Sequence, residues 1–142
     1  MSNLDDTIWC EKYRASTIDD LIIPDRLRSV FVNALEHPMQ FPNMMFHSSG
    51  AGMMKTTAAE VLAKEMCKRY NTKYKKINSS QDGNKETIKD EIIEWGSYNG
   101  YSKAPKIVIL DETDKCNAKT FLDPLLSTLE SLNKSVRFIM TA

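Results

Sequence analysis

Apolar positions along the chain change their period several times. Between residues 24 and 37, Leu27, Val30, Phe31 and Leu35 recur at the three- and four-residue spacing of one helix face, and Pro38 closes the segment. Residues 55–70 repeat that spacing through Ala58, Val61, Leu62 and Met66, and residues 85–95 through Ile88, Ile92 and Trp95, with Gly96 as the stop. Residues 117–132 do so through Phe121, Leu125, Leu129 and Leu132, with a kink predicted at Pro124. Between the helices lie short runs of another kind, at 43–48, 74–80, 106–112 and 136–142. The IVIL of 106–112 is apolar without alternation, as in a parallel strand covered by helices on both faces. A turn is predicted at 81–84 and a loop at 98–105. Helix and strand alternate from end to end. Repeated βαβ units imply an α/β fold with a parallel sheet, right-handed crossovers and helices on both faces.

Composition narrows this picture. A chain of 142 residues has room for one domain, and it contains no internal repeat, low-complexity stretch or linker. The apolar share of 42% is enough for a core and argues against global disorder. Lys plus Arg and Asp plus Glu are 19 each, so binding through bulk positive charge is excluded and any contact with nucleic acid must be local. No apolar run approaches the roughly 20 residues of a membrane span, and the opening MSNLDDTIWC lacks the layout of a signal peptide. Cys10, Cys67 and Cys116 have spacings that suggest neither a metal framework nor a disulfide scaffold, so a cytoplasmic location is expected. The chain stops inside the apolar run VRFIMTA, which raises the expectation that it is the N-terminal part of a longer protein.

Two segments carry candidate chemistry. The first strand leads into Ser48, Ser49, Gly50, Ala51, Gly52, Met53, Met54, Lys55, Thr56 and Thr57, and then a helix. That context suits a phosphate-binding loop, with backbone N–H groups and the helix N-terminus facing the phosphates. Lys55 would add a full charge, and the Thr56 hydroxyl would be a Mg²⁺ ligand. The pattern G-x-x-x-x-G-K-[ST] asks for glycine at 49 and 54, where this chain has Ser49 and Met54. A methionine there must point away from the phosphates or obstruct them. The alternative is a small-residue turn before a capped helix. Farther on, KIVILDETD puts Asp111 and Glu112 at the carboxyl end of a strand, where ligands of parallel sheets bind. Asp111 would hold Mg²⁺, and Glu112 would position or deprotonate an attacking water. The alternative is a pair of surface acids ending a strand.

A resemblance gathers these segments. Trp9 to Asp20, WCEKYRASTIDD, resembles the W-x-E-K-Y-R-P-x-x-x-x-D opening of sliding-clamp loader small subunits, AAA+ ATPases of the replication factor C kind. HSSGAGMMKTT, INSSQD, VILDETDK and VRFIMTA fall where that family has its phosphate loop, its N-x-S-D-like strand end, its D-E-x-D motif and its sensor strand. The cadence is most similar to the bacteriophage version. The resemblance implies a P-loop NTPase (AAA+) core of three layers, α/β/α, lacking its last strand, its lid and the collar domain. Its fourth strand would lie between the first and the third, with the second at an edge. It implies ATP and Mg²⁺ as cofactors, with phosphates at Gly50, Ala51, Gly52, Met53, Met54, Lys55, Thr56 and Thr57, and adenine beside Tyr13, Arg14 and Ile22. Metal would sit at Thr56 and Asp111, and Glu112 would be catalytic. It implies other loader subunits, a sliding clamp and primer–template DNA as partners in DNA replication.

Departures from the family leave alternatives open. Ala15 stands for the usual proline, the helix 117–132 lacks the family's coupling Gln and Arg residues, and the sensor asparagine would follow Ala142. Little hydrolysis is therefore expected from this chain alone. Besides a clamp-loader ATPase, the chain could be an AAA+ structural subunit with a degenerate phosphate loop, or another P-loop ATPase of DNA metabolism. The lysines Lys64, Lys68, Lys73, Lys75 and Lys76 with Arg69 read as a solvated face that could touch DNA phosphates. Lys85 and Lys89 fall on the helix where the family binds duplex. Tyr98 and Tyr101 around Asn99-Gly100 read as a turn with packed rings.

Overall fold

The computed structural model describes residues 9–80, 85–98, 102–116 and 123–142. In chain order its elements are α1 (Trp9–Lys12), α2 (Asp25–Glu36), β1 (Met44–Phe46), α3 (Lys55–Tyr70), β2 (Tyr74–Asn78), α4 (Lys85–Ser97), β3 (Lys106–Asp111), α5 (Asp123–Leu132) and β4 (Val136–Thr141). The strands form one parallel sheet in the order β1-β4-β3-β2. That is the arrangement the resemblance implied for these four strands.

Five of the six residues of β3 are buried, because both of its faces are covered. Side chains alternate across a strand, so β3 feeds two cores. Ile107 and Ile109 join Phe31 and Leu35 of α2 and Ala59, Leu62 and Met66 of α3 in the first. Val108 and Leu110 join Ile92 of α4, Leu125 and Leu132 of α5, and Val136 and Phe138 of β4 in the second. Each fully buried aliphatic or aromatic side chain there contributes roughly 1.5–3 kcal/mol. The result is the three-layer α/β/α fold. Among the described residues no helix is long and apolar enough to cross a membrane.

Element ends differ from expectation in instructive ways. The helix expected to stop at Gly96 continues to Ser97. A Cβ at Gly96 would lie 2.9 Å from Leu132 and 3.0 Å from Val136, so this glycine marks a close approach between α4 and the α5–β4 layer. Pro124 is the second residue of α5 and adjoins residues 117–122, so the expected kink falls at the edge of the described residues. Residues 117–122 of that expected helix, the turn 81–84 and Asn99 to Tyr101 lie outside the described residues, as do the side chains of Lys85 and Lys89. The first strand shortens to three residues, and the Asn43 side chain accepts the Phe138 N–H at 2.9 Å in place of a ladder bond.

All four strands finish on one edge. The register pairs Asn78 with Asp111 and Phe46 with Thr141. That edge is where a parallel α/β sheet presents its ligand site.

Candidate functional site

The loop from His47 to Met54 joins β1 to α3 at this edge. Its base is tied down: the Ala142 N–H donates to the Phe46 carbonyl at 2.9 Å, and the Ser48 hydroxyl donates to the Gly50 carbonyl at 2.9 Å. Gly52 has φ 76°, and a Cβ there would meet nothing within 4 Å, so its glycine serves the backbone conformation rather than space.

Met54 also stands in the left-handed region, at φ 58°. A non-glycine residue in that conformation costs roughly 1 kcal/mol. Its half-buried side chain packs against the first core cluster, so of the two positions open to it the methionine takes the one away from the loop's mouth. Met54 begins α3 without any side-chain cap. The first-turn N–H groups are left to the solvent side, where an anion suits both their donors and the helix dipole. Lys55 forms no ion pair or hydrogen bond among the described residues, and is half-exposed beside these donors.

Thr56 faces the opposite wall. Its hydroxyl donates to Asp111 Oδ1 at 2.7 Å, across 55 residues of sequence. Asp111 is only 7% exposed. The same Oδ1 accepts the Thr141 hydroxyl, while Oδ2 lies 3.4 Å from Lys76 Nζ. Burial pushes the Asp111 carboxyl up, but the Thr141 and Thr56 hydroxyls and the Lys76 ammonium together outweigh it and hold the group below the usual carboxylate range.

Glu112 turns out of the strand at φ 58°. Its N–H donates to the Thr141 hydroxyl at 3.2 Å. Its carboxylate accepts Lys115 Nζ at 2.8 Å on one oxygen and the Ser80 hydroxyl at 2.7 Å on the other. The Lys115 bond first, and the Ser80 bond after it, lower its pKa. In this arrangement each carboxylate oxygen already accepts one donor, which fixes the direction of the Glu112 side chain.

A chain of charges runs outward from Asp111. Lys76 Nζ reaches Glu60 Oε1 of α3 at 2.6 Å, and Glu60 Oε2 lies 3.7 Å from both Arg14 and Lys64. Burial works against the Lys76 charge, but the Glu60 bond and charge and the Asp111 carboxylate raise its pKa on balance. The site thus unites Thr56, Asp111, Glu112 and, through Glu60, Arg14. Tyr13 and Ile22 stand apart, 72% and 89% exposed; Tyr13 packs edge-on against Trp9 and lies under Lys12.

The lysine run is more engaged than a solvated face. Lys75 pairs with Glu91 of α4 and Lys76 with Glu60 of α3, so neighbouring residues of β2 tie it to opposite helical layers. Thr141 and Glu60 were not singled out from sequence, Lys76 was read only within the basic run, and Ser80 only within INSSQD. The available signals were a threonine closing an apolar strand and a glutamate inside the AAEVLA stretch of a helix.

Thr56 and Asp111 offer a hydroxyl and a carboxylate, the oxygen donors a hard cation takes. Among the described residues no group of three or more His, Cys, Asp and Glu side chains could hold a metal. A cation here would therefore complete its shell with water and phosphate oxygens, as Mg²⁺ does beside nucleotides.

No protein-family profile matches the chain. The replication factor C small subunit of Natronomonas pharaonis is 30% identical over 141 residues, covering 94% of this chain and 41% of that protein. The corresponding subunit of Methanoregula boonei is 31% identical over 141 residues, covering 95% and 42%. The chain thus spans about two fifths of the length of these relatives. Among solved structures, RuvB of Thermotoga maritima superposes with a TM-score of 0.69 at 18% identity, over 92% of this chain and 42% of that one. A DNA replication initiation factor superposes at 0.55 with 20% identity, over 89% and 41%. The chain shares its α/β/α fold with these structures.

Proposed function

We propose that this chain is the nucleotide-binding core of a sliding-clamp loader small subunit, binding ATP with Mg²⁺ in DNA replication. The observation that carries the proposal is the 2.7 Å bond between Thr56 and Asp111, which brings the loop's helix to the acidic strand end beside uncapped N–H groups. The similarity to replication factor C small subunits over nearly the whole chain supports the same reading.

In this reading the backbone from Gly50 through Thr57 cradles the phosphates and Lys55 neutralises them. Thr56 and Asp111 hold Mg²⁺, which when bound spreads the charge of the β- and γ-phosphates. Glu112, held by Lys115 and Ser80, orients a water at the γ-phosphate and accepts its proton. Thr141 fixes the two acids relative to each other. Arg14, anchored on Glu60, borders the adenine, with Tyr13 and Ile22 on the open side. Other loader subunits, a sliding clamp and primer–template DNA are the partners this role requires. The competing reading, a subunit that has lost nucleotide, rests on Met54, and a side chain packed on the core does not itself block the loop.

The test is equilibrium titration of the chain with a fluorescent ATP analogue. Binding is expected, strengthened at least tenfold by Mg²⁺ in the wild type and left almost insensitive to Mg²⁺ by Asp111→Asn. Absence of binding with and without Mg²⁺ would remove the proposal.

A further inference from the structure

Lys76 touches the Asp111 carboxylate but is given no step in the nucleotide reading above. It lies on β2, an edge strand, with a side chain on the α3 face of the sheet. Its ammonium donates to Glu60 Oε1 at 2.6 Å and lies 3.4 Å from Asp111 Oδ2. Asp111 Oδ1 is taken by the Thr56 and Thr141 hydroxyls. Among the described residues Lys76 is therefore the sole partner of the second carboxylate oxygen.

We propose that Lys76 is a built-in counter-ion for Asp111, bridging it to Glu60 in the ligand-free chain, so that a free divalent cation is rejected and one arriving with phosphates is accepted. The proposal rests on the nucleotide-site reading above and adds an order of events to it. A lone cation at Asp111 meets an ammonium already beside the carboxylate, and like charges at this range repel strongly in a partly buried site. A cation brought by a nucleotide arrives with phosphate charge, and Lys76 can turn fully to Glu60 without leaving any group unpaired. Glu60 supports the bridge because its other oxygen is shared by Arg14 and Lys64, which hold its carboxylate in place. The same connection links the metal carboxylate to the Arg14 segment. No nucleotide-independent metal site is then needed, in keeping with the single carboxylate that faces Thr56.

The experiment measures Mn²⁺ binding to the whole chain by electron paramagnetic resonance, first without nucleotide and then with ADP. Lys76→Met, which keeps the stem and removes the charge, is expected to bind free Mn²⁺ at least tenfold more tightly than the wild type. Lys76→Arg keeps the charge and should stay within about threefold of the wild type. Metal-free ADP should bind Lys76→Met no more tightly than the wild type, so the gain is specific to the cation. General loosening of the site would weaken both ligands. Should Lys76→Met fold poorly by circular dichroism, Lys76→Gln makes the same test. Unchanged or weaker Mn²⁺ affinity in the charge-free variant, with Mn²⁺·ADP still bound, overturns the assignment of Lys76 alone. Failure of every chain to bind Mn²⁺·ADP overturns the nucleotide-site reading, and this inference falls with it.

Discussion

Thr141→Val is expected to destabilise the chain by about 3 kcal/mol, with Thr141→Ser within about 1 kcal/mol of the wild type. Thr141 is 2% exposed, and valine has nearly its shape, so the comparison isolates the hydroxyl. That hydroxyl donates to the Asp111 carboxylate and accepts the Glu112 N–H. A hydrogen bond to a charged group contributes about 1.5–3 kcal/mol, and a buried donor left unpaired costs about 1–3 kcal/mol. Asp111 keeps Thr56 and Lys76, which prevents the full sum from appearing. Urea unfolding followed by circular dichroism measures both variants. A Thr141→Val midpoint equal to the wild type would mean that the acidic strand end does not depend on β4.

Lys55→Ala is expected to act in the opposite sense, on binding rather than on folding. Lys55 has no ion pair or hydrogen bond among the described residues, so its loss should change stability by no more than about 0.5 kcal/mol. Lys55 is the first residue of α3 and is half-exposed. A charge-assisted bond to phosphate contributes about 2 kcal/mol or somewhat more, which corresponds to about thirtyfold or more in the dissociation constant. Titration with the ATP analogue gives the affinity, and urea unfolding gives the control. Equal affinity in Lys55→Ala and the wild type would place the phosphates elsewhere.

The architecture was legible because its signal is periodic. IVIL had to be covered on both faces, and the helical segments supplied two faces to cover it, so the layered fold follows from spacing. Lys55, Thr56, Asp111 and Glu112 were legible as local patterns at the ends of those elements, and Thr56 and Asp111 do meet. Met54 was ambiguous because a pattern counts residue identity, whereas the backbone needs only φ. A methionine can take φ 58° at modest cost when its side chain finds an apolar surface. Lys75 and Lys76 read as one basic run because adjacent residues on a strand diverge, and the acids that receive them lie on different helices. Thr141 is invisible until the register places it against Asp111 and Glu112. Gly96 looked like a helix stop, and only the packing of Leu132 and Val136 shows that it is a contact.

On the proposed reading, the carboxyl edge of the sheet, between the loop before α3 and the end of β3, receives the phosphates. Backbone amide resonances of the isotope-labelled chain, followed through a titration with Mg²⁺·ADP, test it most directly. Saturable shifts are expected at Gly50 to Thr57 and at Asp111, Glu112 and Thr141, with little change around Tyr70, Trp95 and Ser135 at the opposite end of the sheet. Saturable shifts at that opposite end, with the loop amides unmoved, would contradict it.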